Sequence, residues 1–432
     1  MANKNPLSKI KSGVPSYCTA NEIVIEALFE QAAKLNTEIL IEGTANQINQ
    51  FGGYTGMTPE DFKNYVFEIA DRVNFNKNKI ILGADHFGPL VWANLNEDEA
   101  MKNSLELVRL AVKAGFKKIH LDTSMKLADD DPNERLSDEK IAERGAILLA
   151  ECERTYQELL KQNPDEIRPV YIIGSEVPIP GGTQEEDAGL TVTKVIDFEN
   201  TLKIYKQKFS ENGISQRWQD VIGVVVQPGV EFGDKDIHFY NRVAARELSE
   251  ALKKYPGIVF EGHSTDYQPK EKLREMVEDG VKILKVGPAL TFALREGLFA
   301  LSMIERELML NYRANFPDVL ERVMNENPSN WQKHYHGSEH EKFLARKYSY
   351  SDRCRYYLSN PEIKNSIKKL FANIDELISK NEILPGLLRQ FMPRQYEKLR
   401  DGEINFKADE LVKDFVVSVA EDYNFAAELK KF

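Results

Sequence analysis

The sequence predicts a (β/α)8 barrel of the TIM type, followed by a helical C-terminal extension. Three observations predict it. Eight short, β-rich apolar runs recur between about residues 14 and 300, separated by segments whose apolar residues fall at helical spacing. Several runs are apolar at consecutive positions, as in strands covered on both faces. No glycine-rich dinucleotide turn opens the chain, which favours a closed barrel over its rival, an open doubly wound sheet.

The elements follow in order. A polar leader, MANKNPLSKIKSG, lacks the apolar core of a signal peptide and leads into the first run, GVPSYC, near 13–18. EILIEG (38–43), IILGAD (80–85) and KIHLDT (118–123) are the next three. PVYIIGSEV (169–177), VIGVVVQPG (221–229), GIVFEGHS (257–264) and VKILKVG (281–287) complete the set. Among the intervening segments, DEAMKNSLELVRLAVKAG (98–115) is helical in pattern, and Gly115 suits a left-handed C-cap. Beyond residue 300, SMIERELMLNYRANF, NSIKKLFANIDELISKN and DELVKDFVVSVAEDYNFAAELKKF read as helices. Pro385, Pro393 and the polar stretch 325–341 interrupt them. The expected division is a barrel over 1–300 and an extension over 301–432, packed on the barrel and placed to shield its mouth.

Composition narrows the function. Lys plus Arg is 57 and Asp plus Glu 68, so a net charge of −11 argues against a general nucleic-acid binder. No apolar run approaches the ~18 residues of a membrane helix. Cys18, Cys152 and Cys354 are odd in number and far apart, which disfavours a disulfide framework or thiolate zinc site. Reduced thiols fit a cytoplasmic protein.

In such a barrel the active site forms at the C-terminal ends of the strands, and polar residues collect there. His86 and His263 end the third and seventh strands. Imidazole nitrogen with carboxylate oxygen suits zinc, manganese, nickel or cobalt, so these two histidines are expected to share one divalent ion. Asp122 and Glu176 can supply oxygen, with Glu231 competing for the same positions. Asp85 is expected to move a proton beside His86, or else to orient its loop; Glu176 is a ligand, a general base or a rim residue. Asn46, Gln47, Ser124 and Gln227 are the polar residues expected to face a substrate. For an anion, Ser264, Thr265 and the amides around Gly287 can donate at the ends of strands seven and eight, where the helix opening at Pro288 presents its amino end, and Asp266 beside them is expected to face the substrate. Lys285 adds charge there or pairs with a nearby acid. Arg353 and Arg355 reach a phosphate or sugar, or cap a helix. His120 is expected in the core or behind the ligands.

GADHFGP, HLDTSM, IGSEVPIPGG, VVVQPGVEFG, FEGHSTDYQ, LKVGPALTFALREGLFAL and YSYSDRCRYY together resemble the Z-type subunit family of D-tagatose-1,6-bisphosphate aldolase, from about residue 14 to the 350s. Similar proteins include tagatose and fructose 4-epimerases. The resemblance implies a barrel and C3–C4 chemistry on a ketohexose or its phosphate, with Lewis acidity from a divalent ion. Asp85 and His86 resemble the Asp-His pair of metal aldolases, and His263 resembles a second ligand. Asp85 or Glu176 would take the C4 hydroxyl proton and the C3–C4 bond would break. Rotation of the aldehyde before re-addition inverts C4, whereas its release is aldol cleavage. The leading expectation is thus a metal-dependent C4 epimerase. The alternative is a non-catalytic subunit supporting a separate class II aldolase chain, and a homo-oligomer is compatible with both. An older kinase name in the family finds no support, since no G-x-x-x-x-G-K-[ST] loop is present.

Overall fold

The computed structural model describes residues 4–175, 190–309 and 311–429. Eight strands form its barrel: β1 (Val14–Cys18), β2 (Ile39–Thr44), β3 (Ile80–Phe87), β4 (Lys118–Leu121), β5 (Val170–Ile173), β6 (Val221–Val226), β7 (Val259–Gly262) and β8 (Val281–Val286). They close in chain order, β8 pairing with β1, and every neighbouring pair is parallel. All eight lie inside or within one or two residues of the predicted runs.

Helices α1 (Glu22–Leu35), α2 (Pro59–Arg72), α3 (Glu97–Ala114), α4 (Asp138–Gln162), α5 (Val195–Glu211), α6 (Arg242–Leu252) and α7 (Lys270–Glu278) make the crossovers, and α8 (Pro288–Leu308) follows β8. Their ends are written locally. Asn96 caps α3 by accepting from the Glu99 N–H, and Gly115 closes it at φ 91, the left-handed conformation glycine adopts without penalty. Pro288 opens α8 at a position that needs no N–H.

Strand alternation sorts the side chains. Ile41, Ala84, Ile119, Tyr171, Val224 and Leu284 face the helices in the main apolar core. Leu40, Ile81, Val170, Ile172, Ile222 and Ile283 form a second cluster with Leu7, which plugs the barrel floor. Two residues further along the strands, on the same inward side, the lining turns polar: Glu42 after Leu40, Lys285 after Ile283, Glu261 after Val259.

The extension comprises α9 (Phe316–Glu326), α10 (Glu339–Tyr348), α11 (Pro361–Ser379), α12 (Pro385–Phe391), α13 (Pro393–Arg400) and α14 (Ala408–Ala426). Pro385 and Pro393 start helices rather than merely ending them. Helix α8 continues through residue 300, and α14 packs on α1, α7 and α8. Lys413 of α14 lies 2.9 Å from Glu30 and 3.2 Å from Glu26. Two contacts tie the extension to the β7 loop: Tyr423 Oη donates to the Thr265 carbonyl at 2.9 Å, and Tyr267 Oη to the Tyr350 carbonyl at 2.6 Å. No described helix is long and apolar enough to cross a membrane.

Candidate functional site

A cavity of about 510 Å³ opens at the C-terminal ends of the strands, and Asp85, His86, His263 and Lys285 line it. Beneath them a ladder of ions crosses the barrel. Lys118 Nζ, fully buried, lies 2.7 Å from Glu42 Oε1 and 2.7 Å from Glu261 Oε2. Lys285 Nζ pairs with Glu42 Oε2 and lies 2.8 Å from Asp85 Oδ1. Room for Glu42 comes from Gly83 on the adjacent strand: a Cβ there would stand 2.4 Å from Glu42 Oε1.

Three histidines stand above the ladder, with ring centroids 4.9 Å (His86–His263), 5.2 Å (His86–His120) and 5.2 Å (His120–His263) apart. His86 Nδ1 is 2.7 Å from Asp122 Oδ2, His120 Nδ1 is 3.0 Å from Asp85 Oδ1, and His263 Nε2 is 3.0 Å from Glu261 Oε1. Asp85 and His86 are neighbours in sequence, yet both face the mouth. The β3–β4 register shifts between Ala84 and Phe87, and His86 sits at φ 50, so a local irregularity turns both side chains inward. Gly88 lets this turn press on β4; a Cβ there would stand 1.7 Å from the Asp122 carbonyl oxygen.

The electrostatics follow from these contacts. Burial opposes ionisation of all four carboxylates, but their partners prevail. Lys118 and Lys285 hold Glu42 and Glu261 below the usual range, His86 and Lys285 hold Asp85 well below it, and the bond from His86 lowers Asp122. Asp85 and Asp122 together raise His86 despite its burial, whereas burial dominates at His263 and pushes it down to about 4. Four carboxylates face two ammonium groups and one imidazole inclined to be protonated, so negative charge is in excess.

A divalent cation fits that excess. Asp85, His120, Glu261 and His263 each offer one ligand atom, all within 4.8 Å of one another. His120 Nε2 is buried with no hydrogen-bond partner, as an unused ligand atom would be. This mixed nitrogen and oxygen set suits zinc, manganese, nickel or cobalt.

The other predicted residues are placed as follows. Asn46, Gln47, Ser264, Asp266, Gly287 and Arg355 line the cavity. Ser124 instead donates its hydroxyl to Asp122 at 2.7 Å, and Gln227 accepts from the amides of Gly229 and Val230, so both shape their own loops. Arg353 turns into the extension, donating to the Asn330 carbonyl at 3.0 Å. Lys285 pairs with acids. The Gly287 amide, expected to meet an anion, is given to Asp266 Oδ1 at 3.0 Å. Glu231 is buried, accepts from the Phe232 N–H at 3.0 Å and is pushed by burial up to about 7. Glu176 lies outside the described residues.

Sequence reasoning assigned no role to Lys118, Glu42 or Glu261, and left His120 behind the site. One signal could have found all but Glu42. Lys118 and His120, like Glu261 and His263, are two residues apart on parallel strands, which sends both members to the same side.

Comparison with known proteins agrees with this architecture. The model of the family described as D-tagatose-1,6-bisphosphate aldolase subunit GatZ/KbaZ-like matches residues 2–428. The D-tagatose-1,6-bisphosphate aldolase subunit GatZ of Escherichia coli strain UTI89 is 42% identical over 414 residues, covering 96% of each chain. The crystal structure of a probable tagatose 6 phosphate kinase from Sinorhizobium meliloti 1021 is similar with a TM-score of 0.86 at 43% identity, covering 96% of this chain and 100% of that one. The chain therefore belongs to the GatZ/KbaZ-like family of D-tagatose-1,6-bisphosphate aldolase subunits.

Proposed function

We propose that this chain works as the Z-type subunit of a class II tagatose-bisphosphate aldolase, joining a separate catalytic chain that needs it for full activity or stability. The observation that carries this reading is 42% identity to a subunit of that name over nearly the whole of both chains. The test mixes the purified chain with a class II tagatose-bisphosphate aldolase catalytic chain and follows cleavage of tagatose 1,6-bisphosphate. The expected result is a rise in the partner's rate or half-life, with no cleavage by this chain alone. A partner indifferent to its presence at every ratio would remove the reading.

A second reading is favoured by the assembled charge ladder and histidines: catalysis by the chain itself, inverting C4 of a ketohexose or its phosphate. Asp85 lines the cavity and would accept the C4 hydroxyl proton through Oδ2, its Oδ1 being held by Lys285 and His120. The C3–C4 electron pair would pass into an enediolate inside the cavity that Lys285 lines. The freed aldehyde would rotate, the bond would re-form on its other face, and the new C4 alkoxide would take back the proton held by Asp85. A divalent ion held by Asp85, His120, Glu261 and His263 would supply Lewis acidity when bound. Incubating the chain alone with fructose, tagatose and their phosphates, with and without manganese, nickel or zinc, decides it. Absence of any C4 product under all conditions would sink this second reading. The metal content of His120→Ala and His263→Ala tests the ligand set independently of turnover; each should lose the bound ion.

A further inference from the structure

In barrels of this kind a phosphate commonly sits where the last strands meet a helix amino terminus. Here the first amides of α8 are already committed. Gly287 N–H donates to Asp266 Oδ1 at 3.0 Å and Ala289 N–H donates to the same oxygen at 2.8 Å. Pro288 has no N–H, and Leu290 N–H donates to the Gly287 carbonyl at 3.1 Å. Asp266 is only 3% exposed, so a buried carboxylate occupies the position an incoming anion would need. A phosphate there would meet a carboxylate in place of free donors.

Positive charge without a direct ion pair lies instead on the wall built by the extension. Arg355, Lys364 and Lys368 all line the same cavity. Among the described residues, none of the three has a carboxylate within ion-pair distance. Arg355 donates to the carbonyls of Ser351 and Asp352 and, at 2.9 Å, to Tyr356 Oη, contacts that fix the guanidinium, while the Asp352 and Asp266 carboxylates act on it only from beyond ion-pair distance. Lys364 and Lys368 are four residues apart on α11, so their side chains share one face. The cavity's other cations are paired: Arg72 with Glu22 and Glu26, Lys285 with Glu42 and Asp85. The segment carrying Arg355 is itself anchored, since Arg295 of α8 lies 3.0 Å from Asp352 and the Thr291 hydroxyl donates to Asp352 at 2.6 Å.

We propose that Arg355, Lys364 and Lys368 form an anion subsite for a phosphate group, and that Asp266 keeps that group away from the head of α8. Assigning the phosphate to a ketose rests on the substrate reading above; the subsite itself does not. Isothermal titration of inorganic phosphate, fructose 6-phosphate and fructose into the wild-type chain and the Lys364→Gln/Lys368→Gln variant tests it. Both lysines are exposed, so the fold is expected to tolerate the change. The variant should bind both phosphorylated ligands about tenfold more weakly and fructose as the wild type does. Unchanged phosphate affinity in the variant, or no phosphate binding by the wild type, overturns the proposal. Inorganic phosphate bound through the lysines, with fructose 6-phosphate bound no tighter, supports the subsite and removes the ketose-phosphate reading.

Discussion

Lys118→Met tests whether the ladder across the barrel holds the fold as well as the site. The ammonium is fully buried and 2.7 Å from two carboxylates. At that separation and an effective dielectric of about 20, each contact is worth about 6 kcal/mol of attraction, much of it offset by the cost of dehydrating the ions. Methionine would fill a similar volume but leave the acids without their shared cation. Glu42 would keep Lys285 as a direct partner, whereas Glu261 would keep His263 at 3.0 Å and only the longer-range pull of Lys285. Breaking such a buried pair costs about 3–5 kcal/mol, chiefly through the charge left behind. Adding Glu261→Gln removes that charge, so the double variant should recover about 2 kcal/mol relative to Lys118→Met. Urea unfolding of the three proteins at pH 7 reads both quantities. A single variant within about 1 kcal/mol of wild type, or a double variant less stable than the single, would refute the reasoning.

Other perturbations follow from the same geometry. Glu231→Gln should stabilise the chain at pH 8 by up to about 3 kcal/mol and leave it unchanged at pH 4. The fold raises this carboxyl from 4.5 to about 7, so it favours the protonated form and loses stability as pH climbs through that window; equal curves at pH 8 would contradict this. Gly88→Ala should destabilise by about 3 kcal/mol or more in urea, because its Cβ would fall 1.7 Å from backbone that cannot yield. Acid should act in two stages. His263, lowered from 6.5 to about 4, contributes stability above pH 6.5 that fades as pH falls between those values. The depressed carboxylates Glu42, Asp85, Asp122 and Glu261 contribute stability above their unfolded values near 4 that fades as pH falls further. Because Glu231 titrates in the opposite sense over the first window, the stages are read separately: an NMR titration placing His263 at or above 6.5, or stability unchanged from pH 4 to 2, would contradict the respective stage.

The barrel was legible because strands buried on two faces must be apolar at consecutive positions, a pattern the eight runs carry locally. The helix caps at Gly115 and Pro288 were legible for the same local reason. The mouth was partly legible: Asp85, His86 and His263 announce themselves as polar residues at strand ends. The ladder was harder to see. Lys118 sits inside a short strand among buried residues, and only its two-residue offset from His120 hints that it points into the barrel. Nothing local says that Glu42 will meet Lys285, 243 positions away. Asp266 misled in the opposite sense. Read along the chain it belongs to a polar loop beside an anion-binding helix terminus, but in space its carboxylate takes that terminus for itself.

The bond from Tyr423 to the Thr265 carbonyl has a consequence for how the protein comes into being. The loop carrying His263 and Ser264 leaves the ribosome long before the helix that braces it. A nascent chain released before Tyr423 would contain every proposed metal and phosphate contact, yet lack the brace that fixes the loop carrying His263. Damage to α14 should therefore displace His263 as surely as a change in its own loop would, even though that helix supplies no atom to the cluster of histidines and carboxylates.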